Sequence, residues 1–340
     1  MKTNTRQKII EHIKNNQRSR AHDLYSYLGI SSVAVHKQLK KLIEVGLLTK
    51  IGRPPLVYYQ LAPEKTTLTI KLNELSKKII DQINENYLYI SPSGELLYGL
   101  TGFLQWVKKT NQEKYLKPLI NEYSAFLNKI NHQYKKKGLI EATDKLKQTF
   151  SNDLAINQLF YLDFYSLPKF GKTKIGQLVL YAKQSQNLFL IKELVKLSQN
   201  KLDKLIRIKK IGYICFIPHT IPRKVQFLKE YERLIDTRLP KINLAKVYKN
   251  NIFVAQKSLS TLQERIVNAR ETIVIKNGLN DIKNILLIDD AVGSGSTMNE
   301  TAKKIRILMG KSCKIYGFTL VGSFKGFVVS FGRNQFLCFG

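Results

Sequence analysis

Ile285-Leu286-Leu287-Ile288-Asp289-Asp290-Ala291-Val292-Gly293-Ser294-Gly295-Ser296-Thr297 decides how this chain folds and what it can bind. Four apolar residues read as a buried strand, and two carboxylates stand at its carboxyl end. A Gly/Ser/Thr turn then leads into a helical pattern from Asn299 to Leu308. Backbone N–H groups of such a turn, with the helix N-terminus behind them, hold phosphate. Ser294, Ser296 and Thr297 add hydroxyl donors, while Asp289 and Asp290 can accept from vicinal ribose hydroxyls. The pattern outlines a sugar-phosphate site.

Rival readings fit less well. A Walker A loop requires Lys after its second Gly, and Ser296 follows Gly295. A dinucleotide fingerprint requires Gly or Ala where Met298 stands, and paired carboxylates before the turn repel a pyrophosphate. A methyltransferase turn ends in Gly, where this chain has Thr297. The plainest alternative is an ordinary strand-turn-helix connection whose acidic residues cap the helix.

The thirteen residues resemble the signature of type I phosphoribosyltransferases: an apolar strand, an acidic pair, then a Thr/Ser/Gly turn closing on Thr. The resemblance implies that Asp289 and Asp290 bind the ribose hydroxyls of phosphoribosyl pyrophosphate (PRPP), and that Gly293, Ser294, Gly295, Ser296 and Thr297 bind its 5-phosphate. Gly293 and Ser294 stand where the family usually has two Thr, which removes one hydroxyl and leaves the backbone donors. Weaker islands upstream, over about residues 160–325, resemble the ComF-like branch. They comprise Pro218 after a strand, Arg223 and Gln226 in a basic loop, then Gln256, Leu259, Arg265 and Asn268. The Cys-rich zinc segment common in that branch is absent, and its Arg-Gly-Phe-Asn is replaced by Lys224-Val225-Gln226-Phe227. The resemblance implies a pyrophosphate and substrate loop made of Arg223, Lys224, Gln226, Gln256 and Arg265, with Lys246 or Lys257 on a mobile loop closing over it. It also implies Mg2+ carried mainly by the ligand, with no dedicated protein cage.

The chain has 340 residues, and 56 Lys and Arg outweigh 25 Asp and Glu to give a formal net charge of +31. That excess favours polyanionic partners, although scattered lysines are often no more than a solvated surface. Cys215, Cys313 and Cys338 are far apart without metal-ligand spacing, and read as reduced core residues. Met1 to Lys14 lacks an apolar signal core, and no run of eighteen apolar residues occurs. A cytoplasmic protein without a membrane partner is expected.

Residues 5–61 alternate between helix and strand patterns. Helices are expected over Thr5–Asn15 and Ala21–Leu28, then Gly29 turns the chain and Ser31 or Ser32 caps a third helix to Glu44. Val35, Leu39, Leu42 and Ile43 recur at helical spacing and are assigned to the core. Leu47–Ile51 and Leu56–Leu61 form two strands around Gly52-Arg53-Pro54-Pro55. The segment resembles winged helix-turn-helix repressors, which implies a helix in the DNA major groove and a wing on the flanking backbone. Residues 1–60 hold eleven Lys and Arg against three Asp and Glu. Lys37, Lys40 and Arg53 are the phosphate candidates, and Ser32, Val33 and His36 the base-edge candidates. A protein-docking role is the alternative for this segment.

Residues 62–200 read as mainly helical. Leu68, Leu72, Leu75, Ile79 and Ile83 mark one seam on a helix of about twenty residues, expected to dimerise the chain or to pack within it. Tyr87–Leu100 reads as a hairpin with Trp106 on the next helix, and Lys114–Phe150 as further helix, with Lys135-Lys136-Lys137 at a solvated helix end. Beyond Asp163 strands and helices alternate, with Tyr181-Ala182-Lys183 after a strand-like run and a strand over Ile211–Ile217. This alternation predicts a mainly parallel α/β sheet with its ligand at the strands' carboxyl ends. The apolar tail from Phe327 to Gly340 fits either a last strand or a frayed end.

The expected organisation is therefore multidomain. An α+β winged helix-turn-helix spans 1–62, a mainly helical linker or dimerisation region 63–160, and an α/β phosphoribosyltransferase-like domain 161–340. Two functions follow from it. One is a homodimeric, DNA-binding transcriptional regulator that senses PRPP; the other is a working phosphoribosyltransferase whose winged helix localises it or regulates its own operon.

Overall fold

The computed structural model describes residues 4–62, 75–276, 283–310, 312–327, 330–331 and 335–336. Two compact units divide between Glu74 and Leu75.

In the first unit, helix α1 (Thr5–Asn16) leads through the short strand β1 (Arg18–Ser19) to α2 (Ala21–Leu28) and α3 (Ser32–Glu44). Strands β2 (Leu48–Arg53) and β3 (Leu56–Leu61) complete it. The start of α1 is fixed by Asn4, whose side chain accepts from the Arg6 N–H while Gln7 reaches back. Gly29 closes α2 in the left-handed region at φ 63°, and Ser31 caps α3 by accepting from the Ala34 N–H. The three strands form an antiparallel sheet in the order β1-β3-β2. Ile9, Ile13, Leu24, Val35, Leu39, Leu42, Leu48 and Tyr59 make the core. Ile43, assigned to that core from its spacing, is 36% exposed. It stands at the edge of the narrow stripe that Val35, Leu39 and Leu42 already fill.

The second unit begins with α4 (Lys77–Asn86), the hairpin β4 (Leu88–Ile90) and β5 (Leu96–Tyr98), α5 (Gly99–Lys109) and α6 (Leu116–Gln133). A hairpin β6 (Lys135–Lys136) and β7 (Leu139–Glu141), α7 (Thr143–Phe150) and β8 (Gln158–Phe164) follow. Next come β9 (Ser166–Leu167), β10 (Gly171–Lys172), α8 (Lys174–Gln184), α9 (Leu188–Lys209), β11 (Tyr213–Phe216), α10 (Phe227–Leu234), β12 (Lys241–Ile242) and β13 (Leu244–Lys246). The chain continues through α11 (Leu262–Thr272), β14 (Ile273–Ile275), β15 (Asn284–Val292), α12 (Ser296–Met309) and β16 (Lys314–Gly322), and a last pair, β17 (Ser330–Phe331) and β18 (Gln335–Phe336). The central sheet runs β12-β11-β15-β16-β8-β7-β6. Its pairings from β12 across to β8 are parallel, and β7 and β6 add antiparallel at one edge. Ile285, Leu286, Leu287 and Ile288 are fully buried, as a strand covered on both faces requires.

Several expectations for the middle of the chain give way. Leu68 and Leu72 lie outside the described residues. The helix carrying Ile79 and Ile83 starts only at Lys77, because Ser76 caps it by accepting from the Ile79 N–H. A twenty-residue seam therefore does not run through Leu75, and α4 packs on α5 and α6 of its own unit. Lys135-Lys136-Lys137 is a strand and turn rather than a helix end. Lys137 and Gly138 take φ values of 56° and 83° in a two-residue hairpin turn, a conformation that glycine favours at the second position. The boundary expected near residue 160 falls inside β8, a strand of the central sheet. The run before Lys183 is helix α8, capped by Thr173, and its apolar residues Ile175, Leu178 and Val179 are buried at helical spacing. Phe170 is buried and packs its ring on Trp106 and Tyr123, which joins the helical segment to the sheet domain. β17 and β18 pair within the tail.

Among the described residues no helix is long and apolar enough to cross a membrane. Cys215 and Cys313 are buried free thiols, while Cys338 lies outside the described residues.

Candidate functional site: an anion cleft at the end of the parallel sheet

The carboxyl ends of β11 and β15 open into a cleft of about 490 Å³. Its lining includes Asp289 and Asp290 from β15, the whole turn Gly293–Thr297, Pro218 and His219 after β11, and Lys183 from α8. Arg223, Gln226, Lys246, Gln256 and Arg265 line it too. Residues more than a hundred positions apart in the chain thus meet at the position where open parallel sheets bind ligands.

The turn is built by its neighbours. Gly295 stands at φ 86° as the N-terminal cap of α12, which begins one turn earlier than its apolar pattern indicates. Ser294 Oγ lies 3.1 Å from Ser296 Oγ. Fully buried Asn299 pins the helix by donating to the Asp153 carbonyl at 2.9 Å and accepting from the Ala155 N–H at 2.8 Å. Further along, Arg306 donates to the carbonyls of Ala155 and Cys313 and to Asn157 Oδ1. Buried Glu300 receives Arg270 at 2.9 Å and Lys303 at 2.7 Å, tying α12 to α11. The positive end of a fourteen-residue helix is thereby held against the cleft, where a phosphate is stabilised.

The acidic pair is electrostatically loaded. Burial pushes the Asp289 carboxyl up to about 8, and the charge of Asp290 adds to the rise. Asp289 Oδ1 accepts from the Asp290 N–H at 2.8 Å. Lys183 Nζ lies 2.7 Å from Asp290 Oδ2. Burial opposes the Lys183 charge, but Asp290 and then Asp289 outweigh it and hold the ammonium above its ordinary value. Across the cleft, Lys246 Nζ donates to Thr220 Oγ1 at 2.6 Å, and burial lowers its affinity for the proton. Burial, with the charges of Lys229 and Lys246, likewise lowers the His219 imidazole and favours its neutral form.

Sequence reasoning and geometry agree unevenly. The acidic pair and the five turn residues come together, as do Arg223, Gln226, Lys246, Gln256 and Arg265. Lys224 is exposed and lies outside the cleft lining, because the chain turns toward the start of α10 there. Lys246 belongs to β13, paired to β14 opposite Ile273, rather than to a mobile loop. The side chain of Lys257 is outside the described set. Gln256 and Arg265 partly serve the local fold. Gln256 donates to the Arg265 carbonyl and to Asn268 Oδ1, and the Arg265 guanidinium donates twice to the Leu259 carbonyl. Gln256 Oε1 is buried without a hydrogen-bond partner among the described residues.

The sequence marks Lys183 only as part of Tyr181-Ala182-Lys183, without a role, and gives His219 none. Lys183 sits at the end of a helix that read as strand-like, and its i, i+3 and i+4 apolar spacing from Ile175 was the available signal.

On α3, Ser32, Val33, His36, Lys37 and Lys40 are all exposed, whereas Val35, Leu39 and Leu42 are buried. The Arg53 side chain is outside the described set. Arg18 and Arg20 lie 5.1 and 5.0 Å from the centre of the Tyr58 ring, and Arg20 donates to the Tyr58 hydroxyl at 2.8 Å. This cationic cluster had no motif to reveal it.

No protein-family model matches the chain, and neither does any curated protein. Among solved structures, it is similar to a hypoxanthine phosphoribosyltransferase from Staphylococcus aureus, at 14% identity and a TM-score of 0.24 over 43% of this chain and 79% of that one. It is also similar to a hypoxanthine-guanine phosphoribosyltransferase from Bacillus anthracis, at 13% identity and a TM-score of 0.24 over 48% and 87%.

Proposed function

We propose that this protein is a DNA-binding transcriptional regulator whose second unit binds PRPP in a ComF-like phosphoribosyltransferase domain and senses it. One observation carries the reading: two carboxylates near the carboxyl end of a central parallel strand stand two residues before a Gly/Ser turn at a helix N-terminus, with Lys183, Arg223 and Lys246 lining the same cleft. In this reading Asp289 and Asp290 accept from the ribose hydroxyls, and Gly293–Thr297 cradle the 5-phosphate. Arg223 and Lys246 face the diphosphate, with Gln226, Gln256 and Arg265 in the surrounding wall.

Hard oxygen ligands suit Mg2+, and the donors here are carboxylates and hydroxyls. Among the described residues no group of three or more His, Cys, Asp or Glu gathers around a common point. In this reading magnesium would arrive on the diphosphate, neutralising charge there, with Asp289 and Asp290 as nearby oxygens. The chain's own residues orient the ribose and hold the phosphate.

The first unit is proposed to be a winged helix-turn-helix reader of duplex DNA, spanning the expected 1–62. Its third helix exposes Ser32, Val33 and His36 for base edges and Lys37 and Lys40 for phosphates, with Arg53 on the wing. A homodimer would present two such readers to one operator. PRPP changes DNA affinity through the difference in its binding to two states of the protein. The protein is placed in the cytoplasm in this reading, where its ligands are.

The cation set supports a second reading, a working transferase. Displacement at C1 by a nitrogen nucleophile needs positioned ribose and cations on the departing diphosphate rather than a side-chain nucleophile. Calorimetric titration of PRPP with magnesium tests the shared claim, and release of pyrophosphate with a panel of bases separates the two. Binding without turnover supports the sensor; turnover with any base supports the enzyme.

A further inference from the structure

We propose that Lys183 is an exchangeable counterion: it neutralises Asp290 when no ligand is bound and transfers to the diphosphate of an incoming ribose ligand, freeing Asp290 for a ribose hydroxyl. The inference rests on the PRPP reading and assigns that site a residue outside its strand, turn and loop.

Three observations lead there. Lys183 Nζ is 2.7 Å from Asp290 Oδ2, so the oxygen wanted for a ribose hydroxyl is already engaged by an internal cation. The Lys183 side chain keeps 37% of its surface exposed against 17% for Asp290, so the ammonium reaches the cleft while its partner stays in the wall. Finally, the segment carrying Lys183 is clamped to the loop carrying Arg223. The Arg223 guanidinium donates to the Lys183 carbonyl, and the Val225 N–H donates to Gln186 Oε1 at 2.8 Å. The backbone at the end of α8 is fixed, and the four-carbon lysine stem supplies the travel.

Electrostatics favours the exchange. Breaking a part-buried ion pair outright strands two charges, which is costly. When a diphosphate enters, Lys183 trades one anion for another of higher charge, and Asp290 trades an ammonium for a hydroxyl donor. Neither group is left unpaired. A ligand with a ribose and 5-phosphate but no diphosphate offers Lys183 no second anion, so the pair with Asp290 competes with it. The site therefore selects for the diphosphate through Lys183, beyond whatever Arg223 and Lys246 contribute.

The test compares PRPP with ribose 5-phosphate, both with magnesium, by calorimetry on the full chain and on Lys183→Met and Lys183→Arg. A charge-assisted hydrogen bond contributes enough to predict a loss of about 10- to 100-fold in PRPP affinity for Lys183→Met. Ribose 5-phosphate affinity should stay within about threefold or improve, and Lys183→Arg should restore most of the PRPP preference. In the unaltered protein, amine acylation at Lys183 read by mass spectrometry should fall on adding PRPP and change little with ribose 5-phosphate. Equal losses for both ligands in Lys183→Met, unchanged PRPP affinity, or no protection of Lys183 at saturating PRPP would overturn the exchange while leaving PRPP binding intact. Failure of the unaltered protein to bind PRPP would instead remove the underlying reading, and the exchange with it.

Discussion

Gly295 lies directly against Leu146. A Cβ built on Gly295 would stand 2.3 Å from Leu146 Cδ2, and the backbone there has φ 86°. The turn before α12 is thus fixed by helix α7, a segment far from it in sequence, and only a residue without a side chain satisfies both contact and conformation.

Gly295→Ala should therefore cost about 1–3 kcal/mol of stability, the usual range for a residue forced into a rarely populated backbone region. Its PRPP affinity should fall further than that of Ser294→Ala, which removes one hydroxyl and leaves the turn's shape. Thermal unfolding and calorimetry on the two variants measure this, and equal behaviour would contradict the role given to the turn.

Replacing the acidic pair tests the ribose assignment. A hydrogen bond contributes about 1.5–3 kcal/mol to a charged group and about 0.5–1.5 kcal/mol to a neutral one, and burial disfavours the Asp289 charge, so Asp289→Asn with Asp290→Asn should reduce PRPP affinity by at least about 30-fold. A double variant that binds PRPP as well as the unaltered chain would remove both residues from the site.

The Asp289 carboxyl also makes stability depend on pH. Its value rises on folding from the ordinary 3.8 to about 8, through burial and the neighbouring Asp290. The folded protein therefore holds this proton more tightly than the unfolded chain, and ionisation is disfavoured in the fold. The contribution is intact below pH 4 and is lost progressively between pH 4 and 8. Asp289→Asn, which has no proton to lose, should show a shallower fall in melting temperature across that window. Parallel profiles for the two proteins would show that Asp289 titrates normally.

The strand, acidic pair and turn were legible in the sequence because a buried central strand must be continuously apolar and a phosphate turn must combine glycine with hydroxyl donors. Helix boundaries in the first unit were legible through Ser31 and Gly29, which act locally. Lys183 was not, because its role depends on where α8 packs, and a buried helix of Ile175, Leu178 and Val179 reads much like a strand over a short window. The β6–β7 hairpin was missed for a related reason. Three lysines before Gly138 look like a frayed helix end unless the edge pairing of Ile140 with Tyr161 is known.

For the first unit, exposure on α3 sets the expected division of labour. If this helix reads duplex DNA as proposed, Lys37→Ala or Lys40→Ala should weaken binding evenly across sequences and reduce its salt dependence, since each would remove a phosphate contact. Ser32→Ala or His36→Ala should instead alter sequence preference. Fluorescence anisotropy over a series of salt concentrations reads both. An affinity indifferent to salt and to all four changes would assign this helix to a protein partner.

The central claim is that one site reports to the other, and linkage measures it directly: the affinity for operator DNA, selected from a random library, is determined with and without PRPP and magnesium. The account predicts a change of about 5- to 150-fold, matched by an equal change in PRPP affinity when DNA is added, and abolished by Asp289→Asn with Asp290→Asn. DNA affinity that is the same with and without saturating PRPP would contradict it.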